Sequence, residues 1–414
     1  MVRRVVGLVV IGAILVYGGY SLGQHQARAY QAPVSIVGAT VPTNSTLKTS
    51  DFSLFWQVWN TLNQKFGGVQ GEDVTDQDKV YGAIMGLADS YADPYTSFFP
   101  PSESKQFEDD ISGTFEGIGT EIDIVDDVLT IIAPLKGGPA EKAGIRAGDK
   151  VLKIDDKETI NVAIDELITL MRGPRGSVVS LTVLHEGDSR PVVIKVTRDV
   201  VNVPVITDQL LSDGTYVIRI YTFTANSADL FKKAITNFRN SNSKRLIIDL
   251  RNNPGGYLDS AVDMASYFIP VGNAIVTEEF RDGKSEIYRS KGFNNVPSDV
   301  RIAVLINQGS ASASEILAGA LREYDRATLI GEQSFGKGSV QEYITFADGS
   351  ALKVTVAEWK TPKGVSLSKQ GLMPDIEIAA IESKETDKRV SSYAPPSDSD
   401  NQFKRAVEFV TLGR

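Results

Sequence analysis

The strongest constraint on this chain is a strand that ends in a small-residue turn and hands over to a helix, twice. Arg245 to Leu250 carries the apolar run Leu246-Ile247-Ile248 and passes through Arg251-Asn252-Asn253-Pro254-Gly255-Gly256. A helical pattern follows, with Ala261, Met264, Ala265 and Phe268 on one face. The apolar strand Arg301 to Ile306 does the same through Asn307-Gln308-Gly309-Ser310, before a helix from about Ser312 to Tyr324. Strands alternating with helices imply right-handed parallel crossovers, so residues 201–380 are expected to form an α/β core. In such a sheet, ligand sites lie where strand C-termini meet helix N-termini. That rule singles out the glycine turn and the serine turn.

The second turn reads Gly309-Ser310-Ala311-Ser312-Ala313-Ser314-Glu315. Ser312 to Glu315 has the spacing of a capping box, with Ser312 as N-cap and Glu315 reaching back to it. A serine there also gains chemistry, because the free N–H groups and positive dipole end of the helix favour an anion such as a tetrahedral oxyanion. A nucleophilic serine needs a base, and the usual one is scarce. The chain has no cysteine and two histidines, His25 and His185. Thiol chemistry and disulfides are thereby excluded, a Ser-His-Asp triad is disfavoured, and the ligands of an ordinary zinc site are too few. A candidate base is Lys337, in Gly331-Glu332-Gln333-Ser334-Phe335-Gly336-Lys337-Gly338-Ser339-Val340-Gln341, although a solvated loop lysine is the plainer reading of those residues. An ordinary lysine, with a pKa of about 10.4, is protonated near neutrality. Burial without a carboxylate partner lowers that value and frees the amine to act. Gln341, on the strand that begins here, is expected to orient the amine through its amide.

Residues 111–200 have a different, β-rich character. Val128 to Ile132, Val151 to Ile154, Val178 to Leu184 and Val192 to Val196 read as strands bounded by turns, with a helix near Ile164 to Met171. Gly117-Ile118-Gly119-Thr120, then Gly138-Pro139-Ala140 with Ala143-Gly144-Ile145, then Gly148-Asp149-Lys150-Val151-Leu152 make this unit resemble a PDZ domain. The resemblance implies that Gly117, Ile118 and Gly119 turn backbone N–H groups towards a peptide carboxylate, while the peptide adds as a strand to a sheet edge.

The rest of the chain surrounds these two units. Arg3 and Arg4 precede an uncharged stretch from Val5 to Leu22, so residues 1–31 read as a signal anchor or signal peptide that puts the body outside the cytoplasm, in the periplasm or at the cell surface. The body is then membrane-anchored, or secreted if Ala27-Arg28-Ala29 is cleaved. Residues 32–50 are a Pro/Thr/Ser-rich linker. Residues 51–110 hold helices, the first with Phe52, Phe55, Trp56, Trp59 and Phe66 near one face and the second from Asp78 to Ala88. Residues 381–414 form a tail in which Gln402 to Leu412 is a short helix for contacts between copies of the chain. With 43 Lys and Arg against 52 Asp and Glu, the net charge is −9, which argues against a nucleic-acid partner.

Taken together, Asp93-Pro94-Tyr95-Thr96, the PDZ glycine loop, Arg251-Asn252-Asn253-Pro254-Gly255-Gly256, Ser310-Ala311-Ser312-Ala313-Ser314-Glu315 and Phe335-Gly336-Lys337-Gly338 resemble, in the family's order, the C-terminal processing (tail-specific) proteases of peptidase family S41. The resemblance implies an α/β multidomain protein whose protease core carries an inserted β-rich PDZ domain and an N-terminal helical segment. It implies Ser312 as nucleophile, Lys337 as general base and Gln341 as its positioner. The Gly255-Gly256 turn and the N–H of Ala313 would form the oxyanion hole, with the donating glycine left open. Arg172 is a candidate sensor through which the PDZ domain gates the site. No metal or cofactor is implied, and the partners are proteins or peptides with apolar C-termini. The competing expectation is a non-catalytic PDZ-bearing scaffold that only holds peptide tails. Ser102-Glu103-Ser104-Lys105 has the S-x-x-K spacing of penicillin-binding enzymes, but no Lys-Thr-Gly accompanies it.

Overall fold

The computed structural model describes residues 51–67, 74–293, 296–368, 370–380 and 400–413. They fall into two units, one ending at Val74 and one starting at Thr75. The expected signal segment, the 32–50 linker and most of the tail, 381–399, lie outside the described residues. Among the described residues no helix is long and apolar enough to cross a membrane. In the first unit the helix Ser53–Lys65 gathers Phe55, Trp56 and Trp59, whose ring centroids lie 5.0–6.0 Å apart. Its aromatic face is not a sealed core: none of the helix's residues is buried.

The second unit is built on a six-stranded sheet in the order Ile206–Leu210, Tyr216–Ile220, Arg245–Asp249, Arg301–Ile306, Thr328–Gly331, Ile376–Glu377. The first pair is antiparallel and every later pair parallel, as strand–helix alternation predicts. Side chains alternate across these strands. Ile218, Leu246, Ile248 and Val304 face one way into a core with the helices Ser227–Asn240, Leu258–Ala265 and Ala313–Glu323. Val217, Ile247, Ala303, Leu305 and Ile330 face the other way and are covered by Phe403, Ala406 and Val410 of the helix Asn401–Leu412. That helix is therefore a layer of its own chain's core, and the apolar face expected to serve contacts between copies is already spent.

A second sheet, ordered Ser97–Phe99, Ala351–Lys360, Ala274–Phe280, Ser285–Arg289, with Ser339–Thr345 also on Ala351–Lys360, carries the lysine end of the site. Ser97–Phe99 is a strand inside the region expected to be helical. The β-rich unit is a sheet ordered Thr120–Val125, Val128–Pro134, Lys150–Ile154, Val178–Leu184, Val192–Thr197, with Lys157–Glu158 alongside and the helices Pro139–Ala143 and Ile164–Met171. Its chain ends leave together, because Thr114–Gly117 pairs antiparallel with Asp199–Asn202. A two-stranded neck of this kind lets one domain sit inside another without splitting either core.

Candidate active site

Ser312 is the residue before the helix Ala313–Glu323 and has φ +54° and ψ −115°. A side chain other than glycine rarely adopts that backbone, and strain at a strand-to-helix turn is a feature of exposed nucleophiles. The strain is held by Glu315, which is buried. One carboxylate oxygen, Oε2, accepts the N–H of Ser312 at 2.9 Å, so the reach-back of the capping box is present. The same oxygen accepts the N–H of Lys337 at 3.1 Å. Oε1 accepts from Ser334 Oγ at 2.5 Å and from the N–H of Gly336 at 2.8 Å. One buried side chain thus ties the serine turn to the lysine loop, and the Phe335 N–H, donating to Ser310 O at 3.0 Å, adds a second tie. Burial pushes the Glu315 pKa up, against the four donors that favour its carboxylate.

Ser312 and Lys337 line one cleft of about 630 Å³, together with Gly255, Gly256, Gln341, Tyr343 and Lys353. Lys337 is half-buried, and burial lowers its pKa. The positive charge of Lys353 lowers it further, while Glu315 and Asp93 pull the other way. Its amine lies 5.3 Å from the centre of the Tyr95 ring. Tyr95 belongs to a loop organised by Asp93, which accepts from the Tyr95 N–H at 3.2 Å and Thr96 Oγ1 at 2.7 Å. Burial alone would raise the Asp93 pKa; hydrogen bonds from Thr355, Thr96 and Tyr95 outweigh it and hold the group ionised. Gln341 lies in the same cleft, but its amide nitrogen donates to Ser339 Oγ at 2.9 Å and Thr355 Oγ1 at 3.2 Å instead of engaging the amine. The reason is a register shift between Val340 and Gln341, which sets Gln341 opposite Thr355. A bulge of this kind re-aims a side chain beside a site.

The glycine turn meets the serine turn from the other side. A Cβ on Gly255 would lie 2.7 Å from Ala311 O and 2.8 Å from Ser312 Cβ, and Gly256, at φ +137°, would drive one into the Phe223 carbonyl. Only glycine fits at either position. The Gly255 N–H is committed to Asn253 Oδ1 at 2.9 Å. Among the described residues, the N–H groups of Gly256 and Ala313 have no protein acceptor, the latter because it opens its helix. Asn253 O accepts from the Ala311 N–H at 3.0 Å and from Ser314 Oγ at 3.0 Å, which fixes the two turns against each other.

In the β-rich unit, Gly117, Ile118 and Gly119 form the bend before Thr120–Val125. The carbonyl of Ile118 is bonded inward to the Ala140 N–H at 2.8 Å. Across a trans peptide the Gly119 N–H then points the opposite way. Among the described residues Thr120–Val125 pairs only with Val128–Pro134, which makes it the edge strand of that sheet. Arg172 sits against that bend: a Cβ on Gly117 would lie 3.5 Å from its Cα. Its guanidinium stacks on Phe115 with 4.6 Å to the ring centre and lines a cleft of about 390 Å³ with Arg219, Arg251, Asn252 and Pro254, at the root of the glycine turn. Glu315 as a link to the lysine loop and Lys353 are site residues that sequence reasoning missed, and Asp93 entered it only as part of a motif, with no role at the site. Capping spacing identified only the local half of the Glu315 contacts.

An α/β core interrupted by a small β domain, with a strained serine at a helix start, a half-buried lysine and a glycine turn around one cleft, defines a class of serine hydrolase. Residues 214–378 match the peptidase family S41 model and residues 130–184 a PDZ domain model. The chain is 35% identical over 360 residues to the carboxyl-terminal-processing protease of Picosynechococcus sp., covering 86% of this chain and 84% of that one. It is 34% identical over 322 residues to the carboxy-terminal processing protease CtpA of Bacillus subtilis, covering 77% of this chain and 68% of that one. Among solved structures, the photosystem II D1 C-terminal processing protease superposes with a TM-score of 0.50 at 30% identity, covering 80% of this chain and 89% of that one. The chain spans 63–72% of the length of the staphylococcal CtpA-like serine proteases it matches. It belongs to the carboxy-terminal processing serine proteases of peptidase family S41. Membership in a peptidase family removes the non-catalytic scaffold as the better reading.

Proposed function

We propose that this chain is an endopeptidase that cuts extracytoplasmic proteins recognised by their apolar C-termini, with Ser312 as nucleophile and Lys337 as general base. The observation that carries the reading is the single oxygen of Glu315 that accepts the backbone N–H of both Ser312 and Lys337. Neutral Lys337 takes the proton of Ser312 as the hydroxyl attacks a peptide carbonyl. The N–H groups of Gly256 and Ala313 hold the oxyanion, and the ammonium of Lys337 then protonates the leaving amine. Water repeats the sequence on the acyl-enzyme. Gln341, whose carbonyl oxygen can accept from the amine, positions Lys337 once substrate fills the cleft.

The PDZ domain supplies selection. A substrate tail adds to the edge strand Thr120–Val125 with its carboxylate on the Gly117-Ile118-Gly119 bend. Arg172, at the root of the glycine turn, transmits that binding to the oxyanion hole. Residues 1–31 deliver the body beyond the cytoplasmic membrane, as an anchor where they are retained. The test is degradation of an unstructured polypeptide in versions that differ only in their last three residues. An apolar tail should be cut at least tenfold faster than a tail of three aspartates. Equal rates would overturn recognition by the C-terminus.

The pH dependence tests the base. Because the charge of Lys353 holds the Lys337 pKa down, Lys353→Met should move the acidic limb of the kcat/KM profile to higher pH, and Lys353→Arg should leave it in place. An unmoved limb in Lys353→Met would show that another group governs it.

A further inference from the structure

Arg251 opens the glycine turn, and its side chain is held from two places. Nε and Nη2 donate to Asp249 at 3.0 and 2.8 Å, at the end of the central strand. Nη1 donates to Asp400 at 2.9 Å and Gln402 at 3.1 Å, and Nη2 lies 2.8 Å from the second Asp400 oxygen. Asp400 is also the N-cap of the helix Asn401–Leu412, accepting the Phe403 N–H at 2.9 Å. The other side-chain anchors of the turn, Asn252 to Asn307 and Asn253 to Ile220 and Gly255, stay within the protease sheet and its loops. Arg251 alone among these turn residues reaches, through its side chain, an element 149 residues away.

We propose that Asp400 is a positioning residue for the oxyanion hole, so that the C-terminal helix acts on catalysis through Arg251. Charge balance is the physical reason. Asp249 is fully buried and has two guanidiniums to serve, Arg251 at 2.8 Å and Arg219 at 3.8 Å. With Asp400 present, the Arg251 guanidinium is held between two carboxylates. Without it Arg251 has Asp249 as its one remaining carboxylate among the contacts described above, and its Nη1 loses a charged acceptor in a site that is mostly sealed from water. Arg251 then shifts, and the turn that begins with it carries Gly256 away from its oxyanion position. Donor displacement of this order costs about tenfold to a hundredfold in rate. Arg251 also lines the cleft that holds Arg172, so the helix and the PDZ domain bear on one turn from two sides.

The inference rests on the Ser312 reading, and the experiment separates the two. In the full chain, Asp400→Asn should lower kcat about tenfold with KM unchanged, and weaken a peptidyl boronate by the same factor. Binding of an uncleaved peptide to Ser312→Ala carrying Asp400→Asn should match binding to Ser312→Ala alone. Asp400→Glu should restore part of kcat. Phe403→Ala, which loosens the helix without touching Arg251, should lower thermal stability while leaving the ratio of boronate to peptide affinity at its parent value. Hydrogen exchange of the 250–257 amides should quicken in Asp400→Asn, a readout that holds even if Ser312 proves not to be the nucleophile. Unchanged exchange and kcat, or losses in boronate and peptide affinity of equal size, would overturn the assignment.

Discussion

Ser312→Ala and Lys337→Met should each lower peptide hydrolysis by roughly 10⁴-fold or more, and the double variant should be little worse than either. The two groups act on one proton, so losing either removes the same step. Folding should survive both changes. Ser312→Ala leaves the strained backbone as it is, since the Glu315 bond at that position is made by the N–H and not by the hydroxyl. Lys337→Met exchanges a half-buried amine, whose charged form burial disfavours, for an apolar side chain of similar length. The backbone N–H of position 337 keeps its bond to Glu315. Thermal stability of Lys337→Met should therefore equal or exceed that of the parent while activity is lost, the usual relation between a strained site and stability. Kinetic assays paired with melting curves check this. Substantial activity in either variant would end the dyad, and a collapse of stability in Lys337→Met would mean that the lysine is structural.

Much of this arrangement is legible because it is local. The strand Arg301–Ile306 and the helix Ile164–Met171 fall where periodicity sets them, and Ser312 to Glu315 announces a helix start by spacing alone. What was missed is non-local. Glu315 has one oxygen shared between its own helix start and the lysine loop, and capping statistics see only the first of these. The lowering of the Lys337 pKa depends on burial in the folded cleft and on the charge of Lys353, in the strand at 351–360, which no window around residue 337 contains. Ser97–Phe99 is three residues long and becomes a strand because the edge of Ala351–Lys360 is open to it. The C-terminal helix was readable as amphipathic, but its partner was misjudged. The run Leu246-Ile247-Ile248 holds the clue: a parallel strand apolar on successive residues must be covered on both faces, so one more layer was owed to the sheet.

Glu315→Gln should be the most damaging change at a position that makes no contact with substrate. Four donors converge on the carboxylate, two on each oxygen. An amide keeps one acceptor oxygen and turns an NH₂ group on the other pair of donors. Either the N–H groups of Ser312 and Lys337 or Ser334 Oγ and the Gly336 N–H then face a donor in a buried site. A buried donor left without an acceptor costs about 1–3 kcal/mol, so destabilisation of about 2–5 kcal/mol is expected. Relief of the carboxylate's own burial penalty offsets part of this, because burial already raises the Glu315 pKa. The loss of activity should exceed what the stability change explains. With its tether to the lysine loop broken, Ser312 no longer has a reason to hold a φ of +54°, and relaxation of that turn withdraws both the hydroxyl and the Ala313 N–H from the cleft. Assayed well below its melting temperature, where the variant is folded, kcat should fall at least a hundredfold. The strained turn is thus maintained by an interaction that spans two loops. Retention of most of kcat in folded Glu315→Gln would show that the helix start holds its geometry unaided.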